Sequence, residues 1–160
     1  MDINWSEKVK EALDRTEIMA IATAGDDGTW VCPVQYGYDE NINLYFVSAV
    51  GSKHIKNILA NSQVACAIFK TERFSSGDVL GLQLKGAARQ LTTEKEIMEA
   101  ARCYYGRSGE DFATKVREHI GKDAEWQFFE ITPTELWCFD SRVFGENRQQ
   151  VDLSAISLPF

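Results

Sequence analysis

The sequence predicts a mainly β protein with flanking helices, an α+β fold in which six or seven antiparallel strands close into a small barrel. Three observations lead there. Short runs of aromatic and β-branched residues recur along the chain, some with the alternation of a half-buried strand. Clusters of Gly, Asp, Asn and Ser punctuate them at hairpin spacing. Helical periodicity is confined to the N-terminus, to one segment after the third strand and to the stretch between the fifth and sixth.

The chain is expected to form a single domain over residues 1–160, since 160 residues suffice for one real core. With 44% hydrophobic and 26% charged residues, and no apolar run near the ~20 residues a bilayer span needs, no membrane association is expected. The N-terminal stretch does not resemble a secretory signal, so a cytoplasmic location is expected. A net charge of −7 argues against a nucleic-acid partner, whose backbone is bound through Lys and Arg. Cys32, Cys66, Cys103 and Cys138 form no C-x-x-C pair, so no zinc or dithiol motif is signalled, and three of them read as small buried hydrophobes. His54 and His119 stand alone, and no metal site is expected.

Taken in order, Asn4 followed by Glu7 suits a capping box for a first helix of about three turns, with Trp5, Val9, Ala12 and Leu13 on one face and an end near Arg15. Ile18–Thr23 reads as a buried strand, and residues 24–28 turn it into a second strand, Thr29–Tyr38. Pro33 within that strand places it at an edge or bulge, where backbone groups are free to meet a ligand. Asp39-Glu40-Asn41 leads into a third strand, Asn43–Val50, and then a helix through Ile55, Ile58 and Leu59 that stops near Asn61. Val64–Phe69 is almost wholly apolar and is expected to be buried on both faces. Thr71–Asp78 reads as a mobile loop. Leu80–Leu91 is a long fifth strand with one solvated face, where Gly81 and Gly86 mark a bulge or a close backbone approach. Thr92 or Thr93 caps a helix ending near Gly106, and a charged helical piece follows from about Asp111 to Ile120. Trp126–Thr132 is the sixth strand; Pro133 breaks it, and Glu135–Phe139 is read as a seventh.

One junction carries chemistry. Gly51 and Ser52 join the third strand to the second helix. With Ser52 as N-cap, its hydroxyl satisfies one free N–H of the first turn, while the others point outward beside Lys53 and offer a pocket for an anion such as a phosphate. Without a ligand, Ser52 is simply a cap and Lys53 a solvated charge.

The order and spacing of these pieces resemble the flavin-binding split-barrel family typified by pyridoxamine 5′-phosphate oxidase, including its small general-stress-protein-like members. The residues that carry the resemblance are Ala20–Thr23 with Asp27-Gly28, Pro33-Val34, Leu44-Tyr45-Phe46 leading to Ser52-Lys53, Asn57-Ile58 with Asn61 and Val64, and Leu82–Arg89. The match covers Ile18–Leu91 well and Trp126–Gln149 loosely. The resemblance implies a split β-barrel that binds FMN at a homodimer interface. It places the phosphate at Ser52 and Lys53, with His54 where the oxidase has a second basic residue. The flavin ring then lies along Val34, Gln35 and Tyr36, with Val47, Ser48 and Gln83 nearby.

Departures matter as well. Val31–Tyr36 lacks the basic residues of the oxidase's second strand, and Phe144–Arg148 lacks the arginine–histidine pair that binds its substrate, which speaks against oxidation of pyridoxine phosphate. Arg142 and Arg148 are read as solvated charges, and Trp126, Trp137 and Phe139 as core or dimer contacts. The expected function is an FMN-dependent oxidoreductase passing hydride or electrons between the flavin and a small, unidentified substrate. No residue is named as catalytic, because the cofactor carries such chemistry and no nucleophile–base pair is evident. The alternative is a non-catalytic flavin-binding or stress-response protein that has lost oxidase activity, with haem binding a distant third.

Overall fold

The computed structural model describes residues 3–70, 78–107, 111–119, 121 and 123–159. The expected loop Thr71–Asp78, apart from Asp78, and the end of the charged helical piece at Ile120 lie outside the described residues. Helix α1 (Trp5–Asp14) opens on Asn4, whose side chain accepts from the Glu7 N–H at 3.3 Å. Its inner face buries Val9, Ala12 and Leu13, with Trp5 packed alongside. Strand β1 (Ile18–Gly25) pairs with β2 (Gly28–Gln35) through a two-residue turn, Asp26-Asp27. Strand β3 (Gly37–Tyr38), β4 (Leu44–Ala49), helix α2 (Lys53–Ala60), β5 (Gln63–Phe69) and β6 (Leu80–Gln90) follow. Helix α3 (Glu94–Gly106) carries a full capping box between Thr93 and Glu96. The short α4 (Phe112–Lys115) runs into a 3-10 turn over Val116–His119, and then come β7 (Trp126–Asp140), α5 (Ser141–Phe144) and β8 (Arg148–Val151).

Among the described residues, eight strands form one antiparallel sheet in the order β2-β1-β5-β6-β7-β4-β3, with β8 beside β7. Its two edge strands, β2 and β3, are consecutive in the chain and separated only by Tyr36. The sheet therefore curls until its edges meet, and the chain itself closes the split barrel. The expected single strand Thr29–Tyr38 breaks at Tyr36 because its N–H donates to Glu17 O (3.0 Å) and its carbonyl accepts from Arg107 (3.2 Å), outside both ladders. Pro33 does lie on an edge strand, opposite Ala20.

Pro133 does not end its strand, so the expected sixth and seventh strands are one. Lys85 faces Glu135 while Gly86 faces Pro133, leaving Thr134 as the extra residue of a bulge. On the other side of β7, β4 pairs only as far as Ile131 and β8 begins only at Leu136, so the proline takes no partner's bond away. Gly86 is required there: a Cβ would stand 2.6 Å from Thr132 O. Strand β8 was not anticipated. Nor is β5 buried on both faces: Val64, Cys66 and Ile68 point inward, whereas Ala65 and Phe69 are exposed.

Alternation along β4 and β7 divides the core in two. Leu44, Phe46, Phe129 and Ile131 fill the barrel, with Phe46 stacked on Phe129 at 5.4 Å, while Tyr45 and Phe128 face α3 and pack with Ile97 and Val116. Each fully buried side chain of this size contributes about 1.5–3 kcal/mol. Helix α2 inserts Ile55 and Ile58 into the barrel core and lies close to β1, where a Cβ on Gly25 would be 2.1 Å from Asn57 Oδ1. Cys66, Cys103 and Cys138 are buried and Cys32 half-buried, all as free thiols.

Candidate functional site

Strand β4 ends by turning Ser48 inward, and the chain folds back at once, with Ser52 N–H donating to Ala49 O at 3.0 Å. Helix α2 then starts at Lys53, with Ser52 at its N-cap position. The expected cap bond is absent: the Ser52 hydroxyl caps no N–H of its helix. It faces Ser48 Oγ and His54 Nε2 instead, each at 3.4 Å. Ser48 Oγ is 2.7 Å from the same His54 nitrogen. Two hydroxyls and an imidazole thus converge at the positive end of the helix dipole, and Ser52 does not occupy the first-turn N–H groups. Burial lowers the His54 pKa, so this ring is neutral near pH 7 and joins the polar floor instead of adding charge.

Lys53 points to the other side. Its ammonium is 2.6 Å from Asp27 Oδ2 in the β1–β2 turn and 4.8 Å from the centroid of the Trp30 ring. The lysine holds the Asp27 carboxyl below its ordinary pKa. Both side chains are well exposed, and ion pairs of this kind are weak and exchangeable.

Val34 is half-buried against the barrel core, and Gln35 is exposed, its Oε1 accepting from the Tyr104 hydroxyl at 3.3 Å. Tyr36 is a core residue, 1% exposed, whose hydroxyl donates to Leu13 O at 2.8 Å; burial pushes its pKa up to about 12. Its side chain is therefore turned away from any ligand along β2. Val47 sits beside Ser48 in sequence but packs toward α3. Gln83 stands three strands from β2 in the sheet, where its Oε1 accepts from Arg148 Nε at 2.7 Å. It lines an outer groove of about 350 Å³ with Ala20, Ala22, Val31, Ala67 and Trp137. Within one chain the fold brings together Ser48, Ser52, Lys53 and His54, sets Val34 and Gln35 on the edge strand, and leaves Tyr36, Val47 and Gln83 apart from that cluster.

Residues 5–138 match the family described as pyridoxamine 5′-phosphate oxidase. The chain belongs to this family. No curated protein matches the sequence. Among solved structures, a heme binding protein from Mycobacterium smegmatis is similar over 97% of this chain at 13% identity and a TM-score of 0.74. This chain spans only 60% of that protein's length. The heme storage protein HutZ from Vibrio cholerae is similar at 16% identity and a TM-score of 0.66, over 84% of this chain and 94% of that one. A FAD-binding protein from Mesorhizobium loti has 19% identity and a TM-score of 0.62, over 82% and 91%. At these identities the likeness is one of fold.

Against the frame of the pyridoxamine 5′-phosphate oxidase family, sequence reasoning missed the partners of its own candidates. Asp27 was legible as a turn residue and as part of the family resemblance but not as the partner of Lys53, because an acid 26 positions before a lysine leaves no periodic trace. Trp30 carried a signal in being a large aromatic on an edge strand, and it remains 42% exposed. Arg148, read as a solvated charge, is exposed and also crosses from β8 to Gln83 and lies 5.6 Å from the Phe139 ring.

Proposed function

We propose that this member of the pyridoxamine 5′-phosphate oxidase family is an FMN-binding flavoprotein, an oxidoreductase that works as a homodimer with the flavin between its copies. The observation that carries the reading is the cluster at the start of α2. Two serine hydroxyls meet a helix N-terminus that Ser52 leaves uncapped, and Lys53, the first residue of that helix, is held elsewhere only by an exposed ion pair, which suits a phosphate dianion. Ser48, Ser52 and Lys53 would hold the phosphate, with His54 as a neutral partner behind Ser48. Val34 and Gln35, on a strand that is the sheet edge among the described residues, would receive the flat ring.

When bound, the flavin supplies hydride or electron transfer, and the chain's own residues bind and orient it. The substrate is a small molecule of unassigned identity. A second copy fits the outer face of β1, β2 and β5, where Ile18, Val31 and Phe69 are 47%, 60% and 49% exposed. Flavin is favoured over haem because both imidazoles are committed inside the protein. His54 Nε2 meets Ser48, and His119 lies 2.8 Å from the Tyr105 hydroxyl and 3.0 Å from Trp126 O.

The test is FMN affinity in wild type and Lys53→Ala. Removing one charge-assisted contact is expected to weaken binding by about ten-fold. Unchanged affinity would remove Lys53 from the phosphate site.

A further inference from the structure

Away from α2, a cavity of about 560 Å³ opens between α1, β3 and the end of α3, within the ~300–1,000 Å³ range of small-molecule sites. Among the described residues that line it, Lys10, Arg102 and Arg107 stand against one carboxylate, Asp14, in a chain with 24 acidic and 17 basic residues. The local charge is thus opposite in sign to that of the whole. Asp14 is already answered within the protein: its Oδ2 accepts from Lys10 Nζ at 2.6 Å and its Oδ1 from the Tyr38 hydroxyl. Arg107, the C-cap of α3, has neutral partners instead. Its Nη1 donates to Tyr36 O at 3.2 Å, and its Nη2 donates to Leu13 O at 2.7 Å and to Thr16 O at 3.1 Å. The guanidinium also lies 4.8 and 5.1 Å from the centroids of the Tyr36 and Tyr38 rings. These contacts fix the group but leave its charge acting across the cavity, on Asp14 among others.

We propose that this cavity is a second binding site, for a small organic dianion of the dicarboxylate class. It is separate from the start of α2 and does not rest on the flavin reading. The class follows from where the cations stand. Lys10 comes from α1, whereas Arg102 and Arg107 come from the end of α3, so two carboxylates joined by a short carbon chain can meet both helices at once. A monoanion can meet only one. Arg107 is already ordered, so a carboxylate meeting it adds little further loss of side-chain freedom. Glu40 and Glu99 act on Cys103 in the cavity wall without lining the space themselves, which keeps the net attraction modest and sensitive to salt.

The experiment is isothermal titration calorimetry at low, matched ionic strength with malonate, succinate and glutarate, and with acetate and inorganic phosphate for comparison. The proteins are wild type, Arg102→Gln and Gly106→Glu. Arg102 is exposed, and a Cβ on Gly106, also in the cavity wall, would meet nothing within 4 Å, so both changes are expected to leave the fold intact. At least one of the three dicarboxylates is expected to bind wild type saturably and about ten-fold tighter than acetate. Arg102→Gln is expected to weaken it by about three- to ten-fold, and Gly106→Glu, which adds a carboxylate to the wall, by at least as much. FMN titrations of the two variants are expected to match wild type. Lack of saturable binding of all three dicarboxylates to wild type, or binding that neither variant weakens, would overturn the site. Phosphate binding as tightly as the best dicarboxylate would overturn the assigned class.

Discussion

His54 links the stability of the fold to the proposed phosphate site. Its Nε2 is 2.7 Å from Ser48 Oγ, and burial lowers its pKa below the ordinary value of about 6.5. The unfolded chain therefore takes up a proton at this residue before the folded chain does. Stability is lost as pH falls below about 6.5 and continues to fall until the folded ring also titrates. Urea unfolding between pH 7 and 5 is expected to show a midpoint that drops with pH, and His54→Gln is expected to make that drop smaller. Equal slopes in the two proteins would mean that His54 is not held neutral by the fold. At this scale the site was half legible. Residue type and the strand-to-helix junction pointed to an anion pocket at Ser52 and Lys53, whereas Ser48 and His54 entered only through the family resemblance. The counter-charge at Asp27 was hidden, because only the closed β1–β2 hairpin brings it to Lys53.

Strand β7 carries the clearest lesson about elements. A proline between two apolar runs reads as a break, yet β7 passes through it, because the bulge at Thr134 and the gap between β4 and β8 leave that point without a ladder bond to lose. Such tolerance depends on the neighbouring strands, which local sequence does not name. Helix α3 and strand β3 are packed as tightly as backbones allow: a Cβ on Gly37 would stand 2.5 Å from Cys103 O. Gly37→Ala is expected to cost about 1–3 kcal/mol in urea unfolding, since strand and helix must move apart; a cost near zero would contradict this packing. At the far end of β7, the fully buried Asp140 carboxylate accepts from Lys8 Nζ at 2.6 Å and from Arg142 Nη2 at 2.9 Å, tying α1 to α5. Those partners hold its carboxyl well below the usual range despite burial. Its contribution is present above the ordinary carboxylate pKa and is lost as pH falls through that range. Asp140→Asn is expected to destabilise by about 2–4 kcal/mol at pH 7 and to flatten the acid side of the stability profile.

For the whole molecule, the α+β class, the antiparallel sheet and most elements could be read from the chain because hairpin signals and apolar alternation are local. The barrel was legible too, but not how it closes, since that depends on Tyr36 switching from one sheet edge to the other under the hold of Glu17 and Arg107, and on β8 joining β7. Burial of β5 on both faces was overcalled for a related reason: an apolar strand looks the same whether its outer face meets protein or solvent. That outer face, with Ile18, Val31 and Phe69 exposed, fits the proposed second copy. Light scattering of the purified protein is expected to give a dimer, and Val31→Glu a shift toward monomer; a wild-type monomer with bound flavin would contradict the interface.

The most direct measurement is a titration of the purified chain with FMN near neutral pH, read by quenching of flavin fluorescence. Saturable quenching at one FMN per chain, weakened about ten-fold in Lys53→Ala, is the predicted result. Fluorescence that stays unquenched at every concentration of the wild-type protein would contradict a flavin site at the start of α2.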